Sequence, residues 1–321
     1  MTSPDDYAAL RESAAIGAIA PRGQIAVAGA DRLTFLHGLL TNDIASLAAG
    51  RGCYAAWLTP QGRMLCDLHV LESGDMVLLD VPAAETAAIA ARLEQFHFSE
   101  DVQISTLTSL AAIWLHGPAA GRLVGDGFDG WMQYQNARVE IGGVPVVIAR
   151  IDQLAVPGFV IYADNEREGE VTAALRAAGA LHATPASLEA ARLEAAYPIF
   201  GIDMTDDTIP LEAGIEDRAI SLTKGCYVGQ EVIIRVLHRG HGRVARKLVL
   251  LQLEGDVPDR GAKAFSGDRE VGFVTSGATS PRLGALALAY LHRDFLEPGT
   301  AVDVQVADLR VHAHVTRPSA F

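Results

Sequence analysis

Lys224-Gly225-Cys226-Tyr227-Val228-Gly229-Gln230-Glu231 places a thiol, an ammonium group and two glycines together, immediately ahead of an apolar helical stretch. Glycines this close together expose backbone, so the segment reads as a turn that opens a helix. The free amides and positive end of such a helix favour anions, and with Lys224 alongside they are expected to lower the pKa of Cys226. A reactive thiol is the expected product. The competing reading of Cys226 is a small buried apolar residue, because free cysteines are among the most buried side chains.

Outward from this segment the charge is uneven. From Lys224 to Lys247 the basic residues Lys224, Arg235, Arg239, Arg243, Arg246 and Lys247 face Glu231 alone, in a chain whose net charge is −13. That total argues against a generally basic, nucleic-acid-binding surface. Locally, Arg235, His238, Arg239, His241 and Arg243 around Gly240 and Gly242 could form a cationic turn for an anionic ligand. The bland alternative is a solvated face.

Upstream, Ser3 and Pro4 suit the cap and first turn of a helix. Gln24 to Ala28 reads as a strand and Asp31 to Leu40 as an amphipathic helix. Cys53–Thr59 and Arg63–Leu71 read as a hairpin closed by Pro60-Gln61-Gly62, with Asp67 inside its second strand. Met76–Val81, a helix over Ala83–Phe96, then Val102–Leu107 and Ala112–His116 continue a small α+β unit. A second strand–helix unit is expected from Val144–Ala149, Phe159–Ala163, Glu168–Ala178 and Pro185–Ala196. After about Gly242 the apolar runs become short and are broken by Gly and Pro, the pattern of a small antiparallel barrel.

The octapeptide resembles the signature of the YgfZ branch of the folate-binding T-protein (aminomethyltransferase) superfamily. The likeness extends over essentially the whole chain, through Leu39-Leu40-Thr41-Asn42-Asp43, Gly52 to Asp67, Arg192-Leu193-Glu194-Ala195, Gly201-Ile202-Asp203, Ile209 to Gly214, and Gly272 to Ser276 with Ser280-Pro281. The resemblance implies an α+β, three-lobed fold around a central channel that holds tetrahydrofolate or a derivative. Its expected divisions are residues 1–241, two interleaved α+β subdomains, and residues 242–321, the C-terminal β-barrel. It further implies an accessory protein for assembly or repair of iron–sulfur enzymes, including those of tRNA thiomethylation, with client enzymes or assembly proteins as partners and no need for direct tRNA contact.

On that footing Glu194 is the candidate for the pterin edge, where a carboxylate accepts the N3–H and the exocyclic amine together. Without the resemblance it would read as a solvated charge on the Pro185 helix. Asp67 matches the aspartate region used near the reactive folate nitrogen, with Cys66 in the preceding position. Cys226 and Asp67 are thus the expected reactive groups, and Glu194, Lys224 and Arg235 the expected folate ligands. True T-proteins tend to carry paired aspartates here and lack the cysteine-centred octapeptide, so glycine cleavage is not the leading expectation. The alternative is a tetrahydrofolate-dependent aminomethyltransferase or demethylase.

At 321 residues, half of them apolar, the chain can bury a sizeable core. Its N-terminus, with Asp5, Asp6 and Glu12, lacks the form of a secretory signal. The expectation is a cytoplasmic monomer without membrane contact. Three cysteines at irregular spacing fit neither a disulfide framework nor a metal site.

Overall fold

The computed structural model describes residues 4–239 and 242–318; Ser3, Gly240 and His241, invoked above for the first cap and the cationic turn, lie outside the described residues. The chain begins with α1 (Pro4–Glu12), β1 (Ala15–Ile16), β2 (Arg22–Ala28), α2 (Arg32–Leu39), β3 (Arg51–Leu58), β4 (Met64–Glu72), β5 (Met76–Pro82), α3 (Thr86–Gln95) and β6 (Gln103–Thr106). It continues with β7 (Leu110–His116), α4 (Ala120–Val124), β8 (Asn136–Ile141), β9 (Val144–Arg150), β10 (Gly158–Asp164), α5 (Glu168–Ala177), β11 (Leu181–His182) and α6 (Pro185–Glu194). Three helices, α7 (Pro210–Ala213), α8 (Glu216–Ala219) and α9 (Gln230–Arg239), lead to the strands β12 (Arg246–Leu253), β13 (Lys263–Ser266), β14 (Arg269–Ser280), β15 (Gly284–His292), β16 (Ala301–Val306) and β17 (Leu309–Thr316).

These strands build a five-stranded sheet in the order β3-β4-β5-β2-β6, a six-stranded sheet in the order β11-β1-β7-β10-β9-β8, and a closed barrel in the order β12-β15-β14-β13-β16-β17. Because β1 joins the second sheet before the first sheet begins, the two sheets are interleaved along the chain. The architecture is mixed α+β with a six-stranded barrel, as the sequence pattern implied.

Strand alternation decides what each sheet face meets, since successive side chains point to opposite sides. Along β4, Cys66, Leu68 and Val70 enter the core beneath α2 and α3, together with Leu79 and Val81 of β5. Asp67, His69 and Leu71 therefore point the other way. Leu71 and Leu78 there pack against Trp114, Ala149, Val160 and Tyr162 of the second sheet. The two sheets thus face each other, and the polar residues of β4 and β5 lie in the layer between them.

The barrel closes around Leu251, Val274, Ala289, Val304 and their neighbours. Its outer residues Leu250, Leu286 and Leu288 pack on Leu193 of α6. That contact ties the barrel to the second sheet's helical layer and positions the α6–α7 connection between the lobes. Thr184 caps α6 by accepting the Ser187 amide, with Pro185 in the first turn.

Candidate functional site

The layer between the sheets holds a buried polar cluster. Arg22 of β2 is its centre: Nε donates to Asp80 Oδ1 at 2.6 Å, Nη2 to the Asp80 carbonyl at 2.6 Å, and Nη1 to the two Asp67 oxygens at 3.2 and 3.4 Å. Tyr54 donates its hydroxyl to Asp67 Oδ2 at 2.9 Å, and Tyr162 donates to Asp80 Oδ2 at 2.9 Å. His69 Nδ1 lies 3.1 Å from Asp80 Oδ1. Burial by itself would lift the Asp80 carboxyl, but Arg22 and then His69 outweigh it and hold Asp80 at about 2. Burial lowers His69 and pushes Tyr54 and Tyr162 well above the usual phenol range.

Asp67 lines a gap of about 10 Å³ together with Arg22, Trp114, Gln153, Tyr197 and Pro198. That is room for a water molecule and too small for a pterin. Gln153 Oε1 is buried in this region without a hydrogen-bond partner. Tyr197 and Pro198 also line a cleft of about 600 Å³ between the α6–α8 connection and the barrel, within the usual range for small-molecule sites. Arg218 of α8 lines the same cleft, with Cζ 4.7 Å from the Tyr54 ring centroid and 4.4 Å from that of Tyr197. The rings of Tyr54 and Tyr197 therefore connect the cleft to Asp67. None of Arg22, Tyr54, Gln153, Tyr197 or Arg218 carried a local sequence signal.

Glu194 is the expected ligand that the geometry opposes most directly. It is fully buried at the end of α6. Oε1 accepts the hydroxyls of Tyr7 and Ser280, while Oε2 pairs with Arg11 at 2.6 Å and Arg282 at 3.0 Å. A carboxylate offers about four acceptor directions, and these four partners take them. Glu194 ties α1, α6 and the barrel together and lines neither cavity described above; a pterin would have to displace one of its partners.

The first six residues of the octapeptide form a loop that ends where α9 begins at Gln230, so Cys226 sits in the loop and not in the helix's first turn. Cys226 is exposed, which removes the buried-residue reading. Lys224 is held by backbone oxygens: its ammonium donates to the carbonyls of His37, Leu40 and Asn42 at 2.5, 2.6 and 3.0 Å, closing the C-terminal end of α2, with the Asp43 carboxylate close enough to act on it. Burial brings it down to about 8. Tyr227 is buried, and Gly229 has a φ of +84° with Thr59 O only 2.5 Å from where a Cβ would stand. Most of the motif therefore anchors the loop to α2 and to the β3–β4 turn. Arg235 is exposed and pairs with Glu231 one turn away at 2.6 Å, lining neither cavity.

Residues 2–224 match the GCVT N-terminal domain, and residues 246–321 match the glycine cleavage T-protein C-terminal barrel domain. The chain belongs to the glycine cleavage T-protein family. Among its relatives, the aminomethyltransferase of Geobacillus kaustophilus is 31% identical over 323 residues, covering 97% of this chain and 88% of the relative. That of Bacillus subtilis is 29% identical over 325 residues, covering 97% and 89%. The crystal structure of glycine cleavage system aminomethyltransferase T from Bartonella henselae superposes with a TM-score of 0.87 at 23% identity, covering 99% of this chain and 90% of that one. The shared T-protein fold is thereby established, and the names of these relatives correspond to the transferase alternative more closely than to an iron–sulfur role. Among the described residues no helix is long and apolar enough to cross a membrane.

Proposed function

We propose that this T-protein family member holds a reduced folate in the 600 Å³ cleft and takes part in one-carbon transfer, with Asp67 as its proton-accepting carboxylate. The observation that carries this reading is the placement of Asp67, fixed by Arg22 and Tyr54 beside a water-sized gap that meets the cleft at Tyr197 and Pro198. Tyr197 offers a pterin an aromatic surface on the cleft, and Gln153 Oε1, a buried acceptor with no partner, lines the adjoining gap. Tetrahydrofolate, when bound, supplies the nitrogens that carry the one-carbon unit. The chain's own part is to exclude bulk water, to orient the ring against Tyr197, and to move a proton between the ligand and Asp67 Oδ1 or Oδ2 through a water in the gap.

A second reading keeps the YgfZ assignment, in which the folate-bound protein supports iron–sulfur enzymes or their assembly proteins through Cys226. One feature favours it: within a loop held by Lys224, Tyr227 and Gly229, the Cys226 thiol is presented to solvent. Purified protein incubated with tetrahydrofolate and an aminomethyl-lipoyl carrier separates the two. The transferase reading expects methylene-tetrahydrofolate to form, to be lost in Asp67→Asn and to persist in Cys226→Ala. No turnover, together with loss of client cluster-enzyme activity in cells carrying Cys226→Ala, would leave the accessory reading in its place.

A further inference from the structure

A second concavity, of about 580 Å³, runs between α2 and the connection from α3 to β6, and it shares no lining residue with the cleft. On its α2 side, Asp31, Thr34, Phe35, Gly38 and Leu39 recur at the three- and four-residue spacing of one helix face. Thr34 and Gly38 are exposed, and a Cβ at Gly38 would meet nothing within 4 Å, so another backbone can approach this face closely. Opposite stands Phe96, 39% exposed, while Phe98, two residues on, is 84% exposed. Exposed aromatic surface beside an apolar groove marks an interaction site.

The rim of the groove is acidic. Residues 94–101 carry Glu94, Glu100 and Asp101 with His97 as their one base, and Asp31 faces them from the start of α2. Asp31 accepts the Asp101 amide, Asp101 accepts that of Ala30, and Glu100 accepts those of Phe98 and Ser99. The last two bonds hold the Glu100 carboxyl below its ordinary value. Among the described residues no lysine or arginine pairs with Asp31, Glu100 or Asp101, so the cations that would complement an apolar floor with a negative rim come from outside the chain.

We infer that this groove receives a lysine- or arginine-rich amphipathic helix of a partner protein, with its apolar face on Phe35, Leu39 and Phe96 and its cations at Asp31 and Glu100. A second copy of the chain is a poor complement. Its net charge is −13, and Arg235, Arg246 and Lys247 of its basic stretch already pair with Glu231, Glu212 and Glu216. An anionic bilayer would be repelled by the same carboxylates. Val228 of the octapeptide loop also lines the groove, and two residues span at most about 7 Å, so the docked helix lies beside the exposed Cys226 thiol. The inference is independent of the folate reading.

Three short fluorescent peptides test it by anisotropy: a leucine–lysine peptide with all leucines on one helix face, a scrambled peptide of the same composition, and a leucine–glutamate counterpart of the first. The full-length protein should bind the first at least about tenfold more tightly than either of the others. Hydrogen exchange should then slow over residues 32–39 and 96–101. Gly38→Arg puts bulk and a positive charge on the open face while improving helix propensity, and should abolish that preference. Glu100→Gln, which keeps an acceptor for the two amides, should weaken binding and reduce its salt dependence. Equal affinity for the scrambled peptide, undiminished binding by Gly38→Arg, or protection confined to other segments would overturn the inference. So would a wild-type dimer in sedimentation that Gly38→Arg makes monomeric, which would assign the groove to a second copy, or attachment to phosphatidylglycerol vesicles that Phe98→Ser abolishes. Circular dichroism establishes whether Gly38→Arg is folded; if it is not, Glu100→Gln and the exchange map of the wild-type protein decide.

Discussion

Replacing Arg22 with Met removes the cation that two buried carboxylates share, and the consequence can be worked through with its pH dependence. In the wild-type protein Asp80 is held at about 2, roughly two units below an ordinary aspartate, which is worth about 2–3 kcal/mol. Because the native value is depressed, that stabilisation is present above about pH 4 and is lost as the pH falls through 2. In Arg22→Met, Asp80 remains buried with no guanidinium beside it, and burial now lifts its carboxyl. Stripping one partner from a buried ion pair costs about 3–5 kcal/mol. The native variant then binds a proton that its unfolded chain releases at neutral pH, so its deficit shrinks on acidification by up to about 1.4 kcal/mol per pH unit below neutrality. Urea unfolding followed by tryptophan fluorescence at pH 7.5 and 5.5 provides the assay, since Trp114 is buried with its ring centroid 6.1 Å from that of His69. A deficit below about 1 kcal/mol at pH 7.5, or one that is unchanged at pH 5.5, would refute the assigned electrostatics.

Three further outcomes follow from the geometry. An aromatic disulfide reagent should titrate one thiol per native chain and none in Cys226→Ser, because Cys66 is buried and burial pushes the Cys53 thiol up to about 12; rapid labelling of a second thiol would contradict this. Gly229→Ala puts a Cβ 2.5 Å from Thr59 O at a φ of +84°, so a loss of about 1–3 kcal/mol in chemical denaturation is expected; an unchanged midpoint would show that the octapeptide loop is not anchored there. His116 is buried with neither ring nitrogen bonded and is held at about 4 by burial, so it should cost the wild-type protein about 3 kcal/mol as the pH falls from 6.5 towards 4. His116→Phe, which retains the stack on Trp114, should flatten that slope without lowering stability at pH 7; a slope equal to the parent's would exclude His116 as its source.

The order of strands and helices was legible where local chemistry is strong. The Pro60-Gln61-Gly62 reversal, the Thr184-Pro185 helix start and the change to short apolar runs after Gly242 each act within a few residues, and each marks a feature of the fold. Four strands went unread: β1 and β11, two residues each and paired with each other, and β8 and β13. In β8, polar residues alternate with half-buried ones, and its pairing to β9 is announced only by Gly142-Gly143, both at positive φ, a two-residue hairpin turn. β13 is four residues long and is defined by barrel closure more than by its own pattern.

Among the candidate residues, Asp67 carried a local signal because an acidic side chain inside a strand needs a partner, although nothing local names Arg22 or Tyr54 as that partner. Glu194 and Lys224 present the opposite case. Their charges suggest a ligand, yet each is satisfied by groups distant in sequence: Tyr7, Arg11, Ser280 and Arg282 for Glu194, and three carbonyls around the end of α2 for Lys224. Gln153 is informative because of what it lacks, a partner for its buried Oε1, which only coordinates can reveal.

The central claim, that a reduced folate occupies the cleft with Asp67 within one water of its ring, is tested most directly by a crystal structure of the protein with 5-formyltetrahydrofolate bound. The account predicts the pterin against Tyr197, within one water of Asp67. A folate bound elsewhere on the chain, or none at saturating concentration, would contradict it.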